Sequence, residues 1–268
     1  KRTALGRFKH ENAALTLNKD GHAVVYLGDD ERGEHLYKFV SKNRYQAGND
    51  AANRNLLEEG TLFVAKLDMN EKELKGSGKW LELTFGKNGL TPENGFKDQA
   101  EVMIFARRAA TQVGATTMDR PEWATVDPFT GSVYLTLTNN TKRTEANTAN
   151  PRLNNSFGHV IRWDEGDSAT EFSWDIFVFG APAAGDAETN LSGLDDLNQF
   201  ASPDGLAFDA RGILWVQTDN GADEVTSYTN DQMLAVVPST LVDADGKQQV
   251  ISTETQAQLK RFFVGPND

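Results

Sequence analysis

Apolar and polar residues alternate along most of this chain in short runs broken by Gly, Asn and Asp. A period of two marks half-buried strands, and the breaking residues are turn formers. The pattern predicts strands at residues 13–17, 23–27, 36–41, 61–67, 80–84, 124–127, 133–138, 159–163, 172–179, 205–209, 214–218 and 232–237. Most run about five to seven residues, the usual length in antiparallel sheets. Residues 98–112 depart from it. Val102, Phe105 and Ala109 recur there at helical spacing, which predicts a helix with those three on its buried face. A second short helix is expected at 195–200. Residues 87–95 are rich in Gly and Asn, and 182–194 are small and acidic, so both read as loops. With the helices beside them they mark insertions near 87–112 and 182–200.

Three stretches share one layout: an acid, a strand, a tight glycine turn, a second strand, then another acid or amide. Glu11 precedes a strand that turns at Lys19-Asp20-Gly21. Glu122 precedes one that turns at Phe129-Thr130-Gly131, and Asp204 one that turns at Ala210-Arg211-Gly212. Eight residues beyond the turn glycines stand Asp29, Asn139 and Asn220. A hairpin brings its second strand back to the end where the first began. Each acid is therefore expected roughly 5 Å from its later partner, across the ladder. Similar sheets repeated about an axis, with variable insertions between them, describe a β-propeller. The expected class is all-β with a minor helix: a propeller of four-stranded antiparallel blades, incomplete within this chain, in one domain over residues 1–268. The chain opens at Lys1-Arg2-Thr3 with neither Met nor an apolar leader and closes in a loop-like Gly-Pro-Asn-Asp268. It is expected to be part of a longer protein.

Composition narrows the partners. Hydrophobic residues are 38% and charged residues 25%, a globular rather than a disordered balance. The net charge of −12 argues against binding to nucleic acid or to an anionic membrane surface. No apolar run approaches the ~20 residues of a membrane helix. An acidic chain binds an anion only where local cations, arginines or metal ions, reverse the field. The absence of cysteine removes disulfides, thiolate ligands and a cysteine nucleophile from this chain. No Ser-His-Asp spacing, phosphate-cradling glycine loop or dinucleotide fingerprint is present.

Each candidate has a plainer alternative. Glu11 is equally a charged strand entry. Asp29-Asp30-Glu31 reads as a solvated turn, or as the oxygen cluster that a hard cation needs. Arg120 and Glu122 flank Pro121, and the residue before a proline is expected to be extended. The pair is then either a surface ion pair or a metal carboxylate beside an arginine whose planar fork suits phosphate. Asp204 follows Ser202-Pro203, a good turn starter, and Asp219-Asn220-Gly221 is a turn signal. Asp243-Ala-Asp-Gly246 opens like a calcium loop but has Lys247 and Gln248 where an oxygen ligand and a glycine belong, so a hairpin turn is expected. Of the histidines, His159 reads as structural and only His10 adjoins the proposed site.

Several segments, in order, resemble the PhoX-type alkaline phosphatases. They are Gly6-Arg-Phe-Lys-His-Glu11, Gly28-Asp-Asp-Glu-Arg32 with Tyr37-Lys-Phe-Val40, Asp119-Arg-Pro-Glu-Trp123, Asn150-Pro-Arg152 with Gly158-His-Val-Ile-Arg-Trp163, and Ser202-Pro-Asp-Gly-Leu206. The resemblance implies a propeller with a mixed iron and calcium cluster (Fe3+ and Ca2+), hydrolysis of phosphate monoesters, and export to the periplasm. It places Glu11, Glu122 and one of Asp29 and Asp30 among the metal ligands, Asp204 less firmly, and Arg120 on the substrate phosphate. The family draws further ligands, a cysteine among them, from a region outside this sequence. The chain alone is thus expected to assemble only part of the cluster and to be inactive. Two other readings stay open: a calcium-dependent lactonase or esterase propeller, for which Asn139 and Asn220 are suited, and a propeller used only as a binding scaffold.

Overall fold

A computed structural model of the chain describes residues 2–68 and 74–266. Its strands are β1 (Ala14–Leu17), β2 (His22–Gly28), β3 (Leu36–Arg44), β4 (Gly60–Leu67), β5 (Lys75–Glu82), β6 (Pro121–Val126), β7 (Val133–Leu137), β8 (His159–Asp164), β9 (Glu171–Phe179), β10 (Pro203–Phe208), β11 (Leu214–Thr218), β12 (Gln232–Val236) and β13 (Lys260–Val264). The short helices are α1 (Asp50–Asn53), α2 (Gln99–Ile104), α3 (Ala106–Gln112) and α4 (Asp223–Thr226). The all-β class with minor helix is as the sequence pattern indicates.

The strands form three antiparallel units. β10–β13 make a four-stranded sheet, and β6–β9 a second set of four. The first unit has a fifth strand, β5, which begins at Lys75, five residues before the alternation predicts. That extension pairs with β9, from Lys75 opposite Asp175 to Lys79 opposite Glu171. The first two units thereby fuse at their outer rims into one nine-stranded sheet, ordered β1-β2-β3-β4-β5-β9-β8-β7-β6. Its end strands β1 and β6 return to pack on each other, and β10 packs on β6 and β7. The innermost strand of each unit is the one that begins beside an acid of the repeat.

Three differences from the sequence reading have local causes. The helix at 98–112 is two helices, broken at Phe105 (φ −107°, ψ 42°). Phe105 is consequently 41% exposed rather than buried. Residues 195–200 form a turn. The Asp195 side chain accepts from Leu197 N at 2.8 Å and Asn198 Oδ1 accepts from Asp195 N at 2.9 Å, local bonds that compete with helix. β13 is not among the expected strands; Phe262 and Phe263 are consecutive and both exposed, and pairing with β12 is what makes the segment a strand. The segment at Asp243 is a hairpin turn, with Asp243 Oδ1 accepting from Asp245 N and Lys247 N.

The core has three parts. Tyr26, Trp80, Trp163 and Trp174 pack where the first two units face each other. Tyr134, Phe177 and Val178 meet Leu206, Val216 and Leu234 between the second and third. The outer face of the first unit, with Val25, Leu27, Tyr37 and Phe39, is covered by the 87–112 insertion through Leu90, Phe96, Val102 and Ala109. Polar stitches then fix the inner strands. The Asn12 amide exchanges two bonds with the Ala124 backbone, at 2.7 and 2.9 Å. The buried hydroxyls of Thr136 and Thr138 donate to the carbonyls of Asp204 and Pro203 at 2.7 and 2.8 Å.

Glycine is needed where β2 ends against β6. A Cβ on Gly28 would lie 2.3 Å from the Pro121 carbonyl oxygen and 2.4 Å from that of Glu122. Both are backbone atoms, so the strands would have to separate. Gly28→Ala is expected to lower stability by ~1–3 kcal/mol, as overpacking does. Urea unfolding checks this; an unchanged midpoint would mean that β2 and β6 are not held at this spacing.

Candidate active site

The acids of the repeat meet at one end of the inner strands. Glu11 lies just before β1, Asp30 just after β2, Glu122 at the start of β6 and Asp204 at the start of β10. They are close enough for the carboxyls of Asp204 and Asp30 to act on Glu11, and that of Asp204 on Glu122. Arg120 stands among them. Its Nε donates to Asp30 Oδ1 at 2.9 Å, and its Nη2 lies 2.7 Å from Glu122 Oε1.

The two central acids enter on the same backbone device. Arg120 and Ser202 are left-handed, with φ of +53° and +48°, and each immediately precedes a proline. The expectation of an extended Arg120 is therefore corrected. Non-glycine residues pay a penalty on the order of 1 kcal/mol in this region, so the surroundings must impose it. Thr138 N binds the Arg120 carbonyl at 3.2 Å, and Asp219 N binds that of Ser202 at 2.9 Å. A register shift follows at once in both ladders, between Pro121 and Ala124 and between Pro203 and Leu206. Such bulges re-aim a side chain, here those of Glu122 and Asp204.

The bulges also displace the expected cross-strand pairs. Beside Glu122 stands Thr138 rather than Asn139, and the residue bonded opposite the third entry is Asp219 rather than Asn220. In the first unit the bridge falls between His10 and Asp29, not between Glu11 and Asp29. A strict count of eight residues fits only the first ladder, whose register extends to Glu11 opposite Asp29; in the other two the registers of Val126 with Val133 and Phe208 with Leu214 already run Glu122 toward Leu137 and Asp204 toward Thr218, before the bulges act.

Asp29 and Asp30 face different surroundings. Asp29 is fully buried and receives Arg107 Nε and Nη2 at 2.7 and 2.5 Å, together with Lys9 N at 3.1 Å. It ties the first unit to α3. Asp30 belongs to the Arg120 cluster. His10 is turned back from the acids, stacked on Phe8 at 3.8 Å with Nε2 3.0 Å from the Gly6 carbonyl. His159 is buried, its Nε2 2.7 Å from the Ala149 carbonyl, and burial pushes its pKa down to about 4.

Sequence reasoning missed the support beneath Arg120. Asp119 is fully buried, bonded by Arg143 Nε and by Asn155 Nδ2 at 3.0 Å, while its own N–H donates to Asn150 Oδ1 at 2.9 Å. These partners lie 24 to 36 residues away in a loop without periodicity. The Asn-Pro-Arg run at 150–152 was the only signal there.

Several oxygens at this end lack hydrogen-bond partners among the described residues: Asp204 Oδ1, Asn220 Oδ1, Ser202 Oγ and Glu122 Oε1, all buried. Glu122 Oε1 forms an ion pair with Arg120 Nη2 at 2.7 Å without the alignment of a hydrogen bond. An unsatisfied buried oxygen costs about 1–3 kcal/mol; a proton on Glu122 shared with Asp204 offsets part of this for the two carboxyls. They match the donor set of a hard cation, which takes carboxylate and amide oxygens. Among the described residues no three of His, Cys, Asp and Glu converge closely enough to hold a metal by themselves.

The model of the alkaline phosphatase PhoX family matches residues 1–268, the whole sequence. The chain belongs to the PhoX family. It is also similar to a solved structure described as Pseudomonas fluorescens PhoX in complex with vanadate, a transition state analogue, with 46% identity and a TM-score of 0.84. That likeness covers 99% of this chain and 46% of the solved one, so the chain spans about half the length of that PhoX protein. No curated protein matches it. The three units are thus part of a PhoX propeller, as the turn-punctuated strands and repeated acids led us to expect.

Burial, and then the Asp204 carboxyl, raise the pKa of Glu122. The sign of the consequence is fixed. Above the ordinary carboxylate range the metal-free fold holds a proton on Glu122 that the unfolded chain has lost. Stability therefore falls as pH rises, until Glu122 ionises within the fold. Glu122→Gln removes that dependence. In urea unfolding with chelator present, the variant's advantage over wild type should grow between pH 5 and pH 8, to more than ~1 kcal/mol. A gap that stays constant with pH would show that Glu122 is not held protonated.

Proposed function

We propose that the intact protein is a metal-dependent phosphate monoester hydrolase and that this chain supplies part of its active centre. The observation that carries the reading is the set of buried, unpartnered oxygens on the two proline-led strand entries, gathered around Arg120 in a PhoX chain. PhoX phosphatases are metal-dependent. Glu11, Asp30, Glu122 and Asp204 are the residues we assign to the metal ions, Ca2+ and Fe3+ by the family resemblance, with Asn220 Oδ1 as a further donor. Asp29, bonded on both oxygens by Arg107, is assigned to the scaffold. Bound cations would stabilise charge on the phosphoryl oxygens and activate an oxygen nucleophile.

The chain's own contribution is positioning and charge. Asp30 and Glu122 hold Arg120 by Nε and Nη2, and its remaining N–H groups are free of such partners in the described structure. A guanidinium so fixed can grip two phosphate oxygens and neutralise charge gathering on them. The held geometry needs no reorganisation when the ester arrives, which is what makes such a donor effective. Arg120 also supplies the cation that an acidic chain requires to accept an anion.

The vanadate complex of the similar PhoX supports phosphoryl rather than acyl transfer and so favours this reading over a lactonase. The substrate class, phosphate monoesters, follows from the family; nothing about the site favours nucleic acid as a partner. No helix among the described residues is long and apolar enough to cross a membrane, and a periplasmic or secreted location is proposed from the family.

Two comparisons on the intact protein test the assignment. Glu122→Gln should lower phosphatase activity by about 100-fold or more while the fold survives. Asp30→Asn should lower metal content by elemental analysis, whereas Asp29→Asn should lower the melting temperature first. Full activity in the Glu122 variant would refute its role, and wild-type protein free of iron and calcium would refute the metal-dependent reading.

A further inference from the structure

β7 lies between the two strained entries and bonds to both. Residues 134, 136 and 138 alternate onto the side that faces the third unit, where Tyr134 packs in the core shared with it. At 136 and 138 that side carries threonine, and both residues are fully buried. A buried hydroxyl needs partners. These two find theirs on the backbone of the entries.

In the second unit the register passes from Pro121 opposite Leu137 to Ala124 opposite Leu135, so Glu122 and Trp123 together face Thr136. Inside that bulge Trp123 N donates to Thr136 Oγ1 at 2.9 Å. The same hydroxyl donates onward to the Asp204 carbonyl at 2.7 Å. In the third unit Asp204 and Gly205 together face Gln217, so that carbonyl belongs to the second bulge. One hydroxyl thus joins the bulge that carries Glu122 to the bulge that carries Asp204. Thr138 repeats the link at the strained residues. Its N–H holds the Arg120 carbonyl at 3.2 Å, and its hydroxyl donates to the Pro203 carbonyl at 2.8 Å. Its side chain also stands beside the Glu122 carboxyl.

The main chain of Thr138 has little room to shift. A Cβ on Gly158, at φ +68°, would lie 2.1 Å from the Thr138 carbonyl oxygen and 2.7 Å from Pro203 Cδ. Arg152 fixes this glycine by donating from Nη2 to its carbonyl and from Nη1 to that of Gly180. Valine has the shape of threonine and suits a buried strand at least as well, so the hydroxyls, not the bulk, distinguish these positions. We propose that Thr136 and Thr138 are positioning residues that set the spacing of Glu122 and Asp204 by bonding both bulges to one strand. The inference rests on the phosphatase reading above, in which the two threonines act through the carboxyls and touch no substrate.

The test uses the intact protein, with Thr136→Val and Thr138→Val made separately and the two serine variants beside them. Valine removes the hydroxyl and keeps every backbone N–H, including the one that holds Arg120. Each valine variant should weaken Ca2+ binding by about tenfold or more, measured by calorimetry on chelator-stripped protein, as loss of a group that orients a metal ligand does. With metal restored to saturation, kcat for p-nitrophenyl phosphate should fall about tenfold while KM stays within about twofold, because the Arg120 grip is retained. Serine keeps the hydroxyl and should hold both values within about threefold of wild type. A valine variant that loses only melting temperature, or a serine variant that loses as much as valine, overturns the positioning role. Reading the two positions separately leaves one to decide if the other variant fails to fold. If wild type hydrolyses no phosphate ester, the phosphatase reading has failed. Crystal structures of metal-free wild type and Thr138→Val then decide on the threonine: an unchanged separation of the Glu122 and Asp204 carboxyls overturns the proposal, and a wider one supports it.

Discussion

Two carboxyls, Glu122 and Asp204, are pressed together where the second and third units meet, and much of the structure serves to keep them there. Burial and the neighbouring Asp204 carboxyl both oppose ionisation of Glu122. A fold arranged for stability alone would separate them or replace one. Instead each is delivered by a left-handed residue, a proline and a bulge, and the same three features recur in both units. The strain, the orphaned oxygens and the raised pKa are one fact seen three ways. Among the described residues the positive charge paired with these acids comes from Arg120, held by Asp30 and Glu122.

The scaffold offsets this local cost around the site. Thr136 and Thr138 lock the entry of β10 onto β7 through buried hydroxyl bonds. Asp119, directly before Arg120, is anchored by Arg143 and Asn155, which restrains the backbone at the point of strain. At the opposite end of the first two units, buried Lys38 pairs with Glu165, joining β3 to the β8–β9 hairpin. Burial lowers the pKa of Lys38 while Glu165 opposes that shift, and the ammonium also lies 5.4 Å from the Trp80 ring centroid.

Asp29 and Asp30 show how one turn serves both purposes. Adjacent residues on the same strand end point to opposite sides. One side meets Arg107 of α3 and fastens the helical insertion; the other meets Arg120. The insertion is thus connected to the site by a single peptide unit. The same insertion covers the apolar outer face of the first unit and carries Arg108 and the exposed Phe105 on the Arg107 side of that strand end.

Most of the fold was legible in the chain. Alternation and the bounding turn residues placed nearly all the strands, although β2, β7 and β8 are buried along both faces, and the acid-strand-turn repeat identified the end of the sheets at which the acids meet. The Pro-Glu and Pro-Asp entries were visible as residues. Their backbone was not, because local preference before a proline is extended and only tertiary bonds from Thr138 and Asp219 hold Arg120 and Ser202 left-handed. The same holds for the different surroundings of Asp29 and Asp30, since Arg107 stands 78 residues on from Asp29. It holds too for the partners of Asp119, which a loop delivers. Sequence determined which residues could bear the chemistry, since side-chain period and turn preference are local. Tertiary structure decided which of them meet, since bulges shift register by one residue and one residue turns a side chain to the other face.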